Sequence, residues 1–330
     1  MGQKSGSFKL KASVSIALTF FALAAVAQNY PTQPVTLVTP FSTGGDADMA
    51  ARALAASAQK YLGQSIVVVN RGGANGAIGS QQVKEARPDG YTLLLARVGS
   101  QVILPALQPT LSYRWNDFTF LGLLELNPVV CAVNSASPIQ NMADLVQKIK
   151  SEPGKLNYAT SGPATVLNLG PQMLFSVLGV GQEAAVPIAY KGAGDAVMGV
   201  LSGDVDFICT NVAPISALIK ADRLRGLVTT TPERLPEFPA IPSAKEAGYP
   251  QLEAIIGWSA LYGPPGMDEG TVGVWTEALD KVSRDPAWRQ ATTKAGSIPA
   301  IKAPADTQKY MEEQYTAYDK LGKTLGIALK

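Results

Sequence analysis

The 330-residue chain is 46% hydrophobic and 16% charged, too apolar for disorder and long enough for two domains. It contains no histidine, which removes His-based triads, His-ligated zinc and the commonest general base near neutral pH. Setting aside Lys4, Lys9 and Lys11 changes the formal charge from +2 to −1, so no basic block remains to argue for nucleic acid.

Those lysines precede an apolar stretch from Val14 to Ala24 and then Ala25-Val26-Ala27, the pattern of a secretion signal and its cleavage site. Residues 1–27 are expected to be removed, so that the mature chain starts at Gln28. Beyond them, strands are expected over 35–40, 65–70, 91–96, 118–124 and 129–133, with helices over 49–62 and 79–86. A second series follows Ser135-Ala136-Ser137-Pro138. It reads as helix 142–151, strand 156–159, helix 165–178, strand 186–190, helix 195–201, strand 205–210, helix 214–221 and strand 226–230. Such alternation implies parallel sheets flanked by helices. The Pro-rich stretch 231–250 reads as a connector, and apolar 254–262 runs into the turn Gly263-Pro264-Pro265-Gly266. Helices over 271–284, 286–295 and 304–325 end the chain without strands of their own, so they are expected to pack back on the first unit.

The expected fold class is therefore α/β with two lobes, each a sheet flanked by helices. Residues 28–130 and 250–330 form lobe 1 and residues 131–249 form lobe 2. Ligands of such lobes bind outside the carboxyl ends of the strands, here an interlobe cleft. Cys131 and Cys209 both sit in apolar, strand-like runs and form no C-x-x-C. Export permits a disulfide, but sequence does not place the two within reach. The frequent burial of cysteine favours two free thiols.

Ser42, Thr43, Gly44 and Gly45 follow the first strand and open a helix. Hydroxyls and flexible glycines at a helix N-terminus make an anion cradle, with Asp46 or Asp48 as the N-cap. The device recurs at Thr160-Ser161-Gly162-Pro163-Ala164-Thr165, with Asn168 one turn into the next helix. Tyr190-Lys191-Gly192-Ala193-Gly194-Asp195 is a third such turn, whose backbone N–H groups at Gly192 and Ala193 add donors, with Asp195 as its cap. Each of these loops also has a plain structural reading as a capped turn. Arg97 ends a central strand, where its guanidinium either forks onto a ligand carboxylate or pairs with a structural acid. The glycine loop 72–79 lacks the dinucleotide spacing and reads as close helix–sheet packing. Trp258 and Tyr262 read as packing at the hinge rather than a wall of the cleft.

Taken together, Tyr30-Pro31, Pro40-Phe41, Gly44-Gly45, Asp48, Ala51-Arg52, Leu62-Gly63-Gln64, Asn70-Arg71-Gly72, Pro88-Asp89-Gly90-Tyr91-Thr92-Leu93-Leu94, Tyr190-Lys191-Gly192 and Glu246-Ala247-Gly248 resemble the Bug-type receptors. These are periplasmic solute-binding proteins of tripartite tricarboxylate transporters, and the resemblance covers nearly the whole mature chain. It implies a Venus-flytrap fold, a monomer, a small carboxylate ligand held partly through ordered waters, and delivery to membrane permease subunits. It assigns Ser42, Thr43, Gly45, Ser161 and Ala193 to the carboxylate. Asn168 stands near a position where the family often has His. Arg97 is atypical at its position and suggests a second anionic group, as in a dicarboxylate such as terephthalate.

The expected function is thus a periplasmic carboxylate receptor with no enzyme activity, cofactor or metal. Two alternatives stay open: a sensor module that presents its ligand to a membrane kinase, and a His-free enzyme acting on carboxylates.

Overall fold

The computed structural model describes residues 30–329. The expected signal segment, its cleavage site and the mature start at Gln28 lie outside the described residues.

The first half of the chain forms β1 (Val35–Thr39), α1 (Asp46–Leu62), β2 (Ile66–Asn70), α2 (Ala77–Lys84), β3 (Thr92–Arg97), α3 (Leu104–Leu107) and β4 (Thr119–Asn127). There follow β5 (Val129–Asn134), α4 (Met142–Ser151), β6 (Asn157–Thr160), α5 (Val166–Leu178), β7 (Val186–Ala189), α6 (Ala193–Ser202), β8 (Phe207–Asn211), α7 (Ser216–Lys220) and β9 (Leu224–Thr229). The chain closes with β10 (Gly257–Gly263), α8 (Glu269–Ser283), α9 (Pro286–Lys294), β11 (Ile298–Lys302) and α10 (Pro304–Leu325).

Two sheets result, one per lobe. The first has the order β11-β4-β10-β3-β1-β2 and the second β7-β6-β8-β5-β9. Expectation and structure differ in direction. β1 runs parallel to β2 and β3, but β10 is antiparallel to β3 and β4, and β11 to β4. In the second sheet β6 is parallel to β7 and β8, whereas β5 is antiparallel to β8 and β9. Both sheets are therefore mixed. The antiparallel strands lie where the chain changes sheet: only Pro128 separates β4 from β5, and the return runs from β9 to β10. The final segment does contribute a strand, β11, on the edge of the first sheet.

Pattern and burial agree in the central elements. β1 is flanked on both sides and buries Val35 and Leu37 on one face and Val38 on the other, as an interior strand should. In α1, Ala47, Ala50, Ala51, Leu54, Ala58 and Leu62 recur at helical spacing and are buried. The helix ends where Gly63 takes a left-handed conformation (φ 70°) and its N–H bonds the Gln59 carbonyl. Trp258 and Tyr262 are fully buried core residues of β10, and the Tyr262 ring meets Phe120 edge-on at 4.8 Å. The glycine loop packs as expected: a Cβ at Gly79 would lie 2.8 Å from the Arg71 carbonyl oxygen.

The free-thiol expectation is overturned. Cys131 of β5 and Cys209 of β8 are direct cross-strand partners, and they form a disulfide between residues 78 apart in sequence. Both are buried.

Candidate functional site

Three strand-to-helix loops meet where the lobes face each other. β1 leads through Phe41 to Gly45 into α1, β6 through Ser161 to Thr165 into α5, and β7 through Tyr190 to Gly192 into α6. Each helix presents first-turn N–H groups that have no acceptor within their own helix. Each N-terminus also carries the positive end of a helix dipole.

The N-caps are Gly45, Thr165 and Gly192, so the acidic residues expected there sit inside the helices instead. Asp48 reaches back from the first turn of α1 and accepts from the Gly44 N–H at 3.0 Å, while Arg52 Nε donates to the same carboxylate at 3.0 Å. Thr165 uses its hydroxyl to donate to the Gly162 carbonyl at 2.8 Å, which fixes the second loop.

Loops one and three touch across the seam. A Cβ on Gly192 would lie 2.9 Å from the Ser42 nitrogen, and one on Gly194 would lie 2.7 Å from the Thr43 carbonyl oxygen. A second seam joins Gly162 to Asn75 of the glycine loop, where a Cβ on Gly162 would overlap the Asn75 side chain. Ser42 Oγ and Asn75 Oδ1 are both buried at these seams without a protein partner.

Inside the seams is an interlobe cavity. Its polar lining is Asp46, Arg97, Ser161, Thr165 and Asn211, and its apolar lining includes Phe41, Val98, Val166, Leu167 and Ala193. The space open to the centre of a water-sized sphere is about 30 Å³. Of the residues expected from sequence, Ser161, Ala193 and Arg97 line this cavity. Ser42, Thr43, Gly44, Gly45, Gly162 and Gly192 form the loops and seams above it.

Asn168 is held within its own lobe. Its Oδ1 accepts from the Tyr158 hydroxyl at 2.7 Å and its Nδ2 donates to the Pro163 carbonyl at 3.1 Å. Both ends are thus engaged within lobe 2, where the residue braces the second loop.

Arg97 takes up one of the two roles open to it from sequence. Its Nη2 donates to the Asp46 carboxylate, and its Nη1 donates to Asn127 Oδ1 at 2.9 Å and to Ser259 Oγ. Asn211 Nδ2, from the other lobe, donates to the same Asp46 oxygen. Behind this pair, Glu125 Oε1 accepts from Asn127 Nδ2 at 2.9 Å and from Ser259 Oγ at 3.0 Å. Burial pushes the Glu125 carboxyl upward from the usual carboxylate range. The structural ion pair, one of the two readings open from sequence, is therefore the one formed. Asp46 thus meets the Arg97 charge in this structure.

The family of tripartite tricarboxylate transporter receptors (TctC) matches residues 50–327. The chain belongs to this family. Solved relatives share the fold. The periplasmic binding protein BugD is 29% identical, with a TM-score of 0.87 over 91% of this chain and 100% of its own. MatC of Rhodopseudomonas palustris, solved with malate, is 28% identical, with a TM-score of 0.83 over 88% of this chain and 99% of its own. A second R. palustris protein, solved with adipate, is 28% identical, with a TM-score of 0.86 over 91% of this chain and 99% of its own.

As a TctC-family member the chain is a solute-binding receptor, and its solved relatives are binding proteins. Sequence reasoning missed Asp46 and Asn211 as parts of this receptor's cleft. Asp46 was visible only as a cap candidate. Asn211 ends a strand, as Arg97 does, and a polar residue at the carboxyl end of β8 was the available signal. Asn75 was hidden in a loop read as packing alone.

Proposed function

We propose that this receptor captures a small organic carboxylate between its lobes and delivers it to the permease subunits of a tripartite tricarboxylate transporter. The observation that carries the reading is the convergence of three strand-to-helix junctions around one interlobe cavity, beside a seam where the Ser42 hydroxyl is buried without a protein partner. Such a junction offers backbone and hydroxyl donors to an anion and little to a cation. Closure around the ligand excludes water and strengthens each of those bonds. It also creates a shape that a permease can tell from the empty receptor.

In this reading the chain is exported to the periplasm, cleaved after Ala27 and acts as a monomer without enzyme activity. Lobe 1 comprises 28–130 and 250–330, and lobe 2 comprises 131–249. Malate and adipate, held by two relatives, make dicarboxylates natural members of a ligand panel, and terephthalate tests whether a rigid ring is admitted. A thermal-shift screen of the mature protein against these diacids and their monocarboxylate counterparts tests the proposal. Stabilisation by one or more carboxylates, without turnover, is expected. A protein unmoved by every carboxylate contradicts it.

A further inference from the structure

The floor of the cleft is a neutralised pair, and that constrains the far end of a ligand. We propose that Asp46 sets the charge accepted there. The ligand carries one carboxylate at the loop junction and an uncharged hydrogen-bonding group, a hydroxyl or amide, at the floor; a second carboxylate is disfavoured. The inference rests on the receptor reading above and narrows its ligand class.

Charge carries the first part. Asp46 and Arg97 are 7% and 3% exposed and form a direct ion pair. Among the described residues, Arg97 is the one cationic side chain lining the cavity. Three of its five N–H donors go to Asn127, Ser259 and Asp46. A ligand carboxylate at the floor would place a second negative charge against a single, already paired guanidinium. In buried surroundings that repulsion is far less screened than in water.

Hydrogen bonding carries the second part. Asn211 lines the cavity and is 3% exposed. Its Nδ2 donates to the acceptor-only Asp46 carboxylate, which fixes the amide orientation and leaves Oδ1 as an acceptor. That Oδ1 has no protein hydrogen-bond partner and is buried against Gly257, where a built Cβ would overlap it. An ionised carboxylate has no hydrogen to give it, whereas a hydroxyl or an amide N–H has.

Titration calorimetry on the mature protein at neutral pH, with matched ligand pairs, tests this. The pairs are succinate with 4-hydroxybutyrate, adipate with 6-hydroxyhexanoate, and terephthalate with 4-(hydroxymethyl)benzoate. In the wild type the hydroxy acid of the binding pair is expected to win by about tenfold or more. Asp46→Asn, which keeps the size but releases Arg97, is expected to move the ratio at least about tenfold toward the diacid. Should that variant not fold, Asp46→Leu combined with Arg97→Met removes both charges and is expected to keep the preference for the hydroxy acid. A wild type that prefers the diacid, a ratio unmoved by Asp46→Asn, or a doubly substituted protein that prefers the diacid overturns the inference alone. Failure of every carboxylate to bind contradicts the receptor reading as well.

Discussion

Gly192 lies directly against Ser42 across the seam between the lobes, and a Cβ built on Gly192 falls 2.9 Å from the Ser42 backbone nitrogen. The backbone at Gly192 is extended (φ 179°), a conformation open to any residue, so the contact alone requires glycine there. Gly192→Ala is therefore expected to leave the open protein folded while preventing full closure. Ligand affinity should fall by about tenfold or more, as when charge-assisted hydrogen bonds are lost, with an unchanged melting temperature for the ligand-free protein. Calorimetry and melting curves measured side by side check this, and an unaltered affinity would contradict it.

The Asp46–Arg97 pair predicts a different pattern. Arg97→Met leaves a buried carboxylate without its counter-charge and is expected to cost about 3–5 kcal/mol of stability. Adding Asp46→Leu should restore much of that loss, because it is the stranded charge and not the missing contact that destabilises. Denaturant unfolding of the single and double variants measures both. A double variant as unstable as Arg97→Met alone would count against the pairing.

Glu125 predicts a pH effect. Burial raises its folded-state pKa, so the folded protein binds this proton more tightly than the unfolded chain, whose value is about 4.3. The stability linked to that proton is fully present below the unfolded value and is lost as pH rises through the folded one. Glu125→Gln mimics the protonated group and escapes this loss. The variant should melt higher than the wild type at neutral pH, with the gap closing below about pH 4. Parallel melting curves at all pH values would contradict the assignment.

The Cys131–Cys209 bond closes a long loop within the second sheet, joining residues 78 apart. Replacing both cysteines by alanine, or reducing the bond, should lower stability by about 2–4 kcal/mol while leaving ligand affinity unchanged. Unfolding curves with and without reductant, paired with titrations, check both halves of that expectation.

The three loops of the site were legible in the sequence because each concentrates hydroxyls or glycines between a strand and a helix, a local signal. The alternating elements and the two lobes were legible for the same reason. What escaped depends on register and long-range approach. Cys131 and Cys209 become neighbours only through the antiparallel pairing of β5 with β8. Asp46 and Arg97 meet only because α1 begins beside the end of β3, 51 residues apart in sequence. β11 is a five-residue edge strand containing Pro299, which weakened its strand signal. The contacts of Asn168 with Tyr158 and Pro163 likewise come from the fold.

The central claim is that a carboxylate binds at the loop junction between the lobes, and Ser42 tests it most directly. Its hydroxyl is buried at the seam and gives up no protein hydrogen bond on removal. Calorimetric titration of wild type and Ser42→Ala with the carboxylate that gives the largest thermal shift is the deciding measurement. The account predicts a loss of about 1.5–3 kcal/mol in binding free energy, about tenfold or more in affinity, with the ligand-free melting temperature unchanged. Equal affinity in the two proteins would contradict binding at this junction.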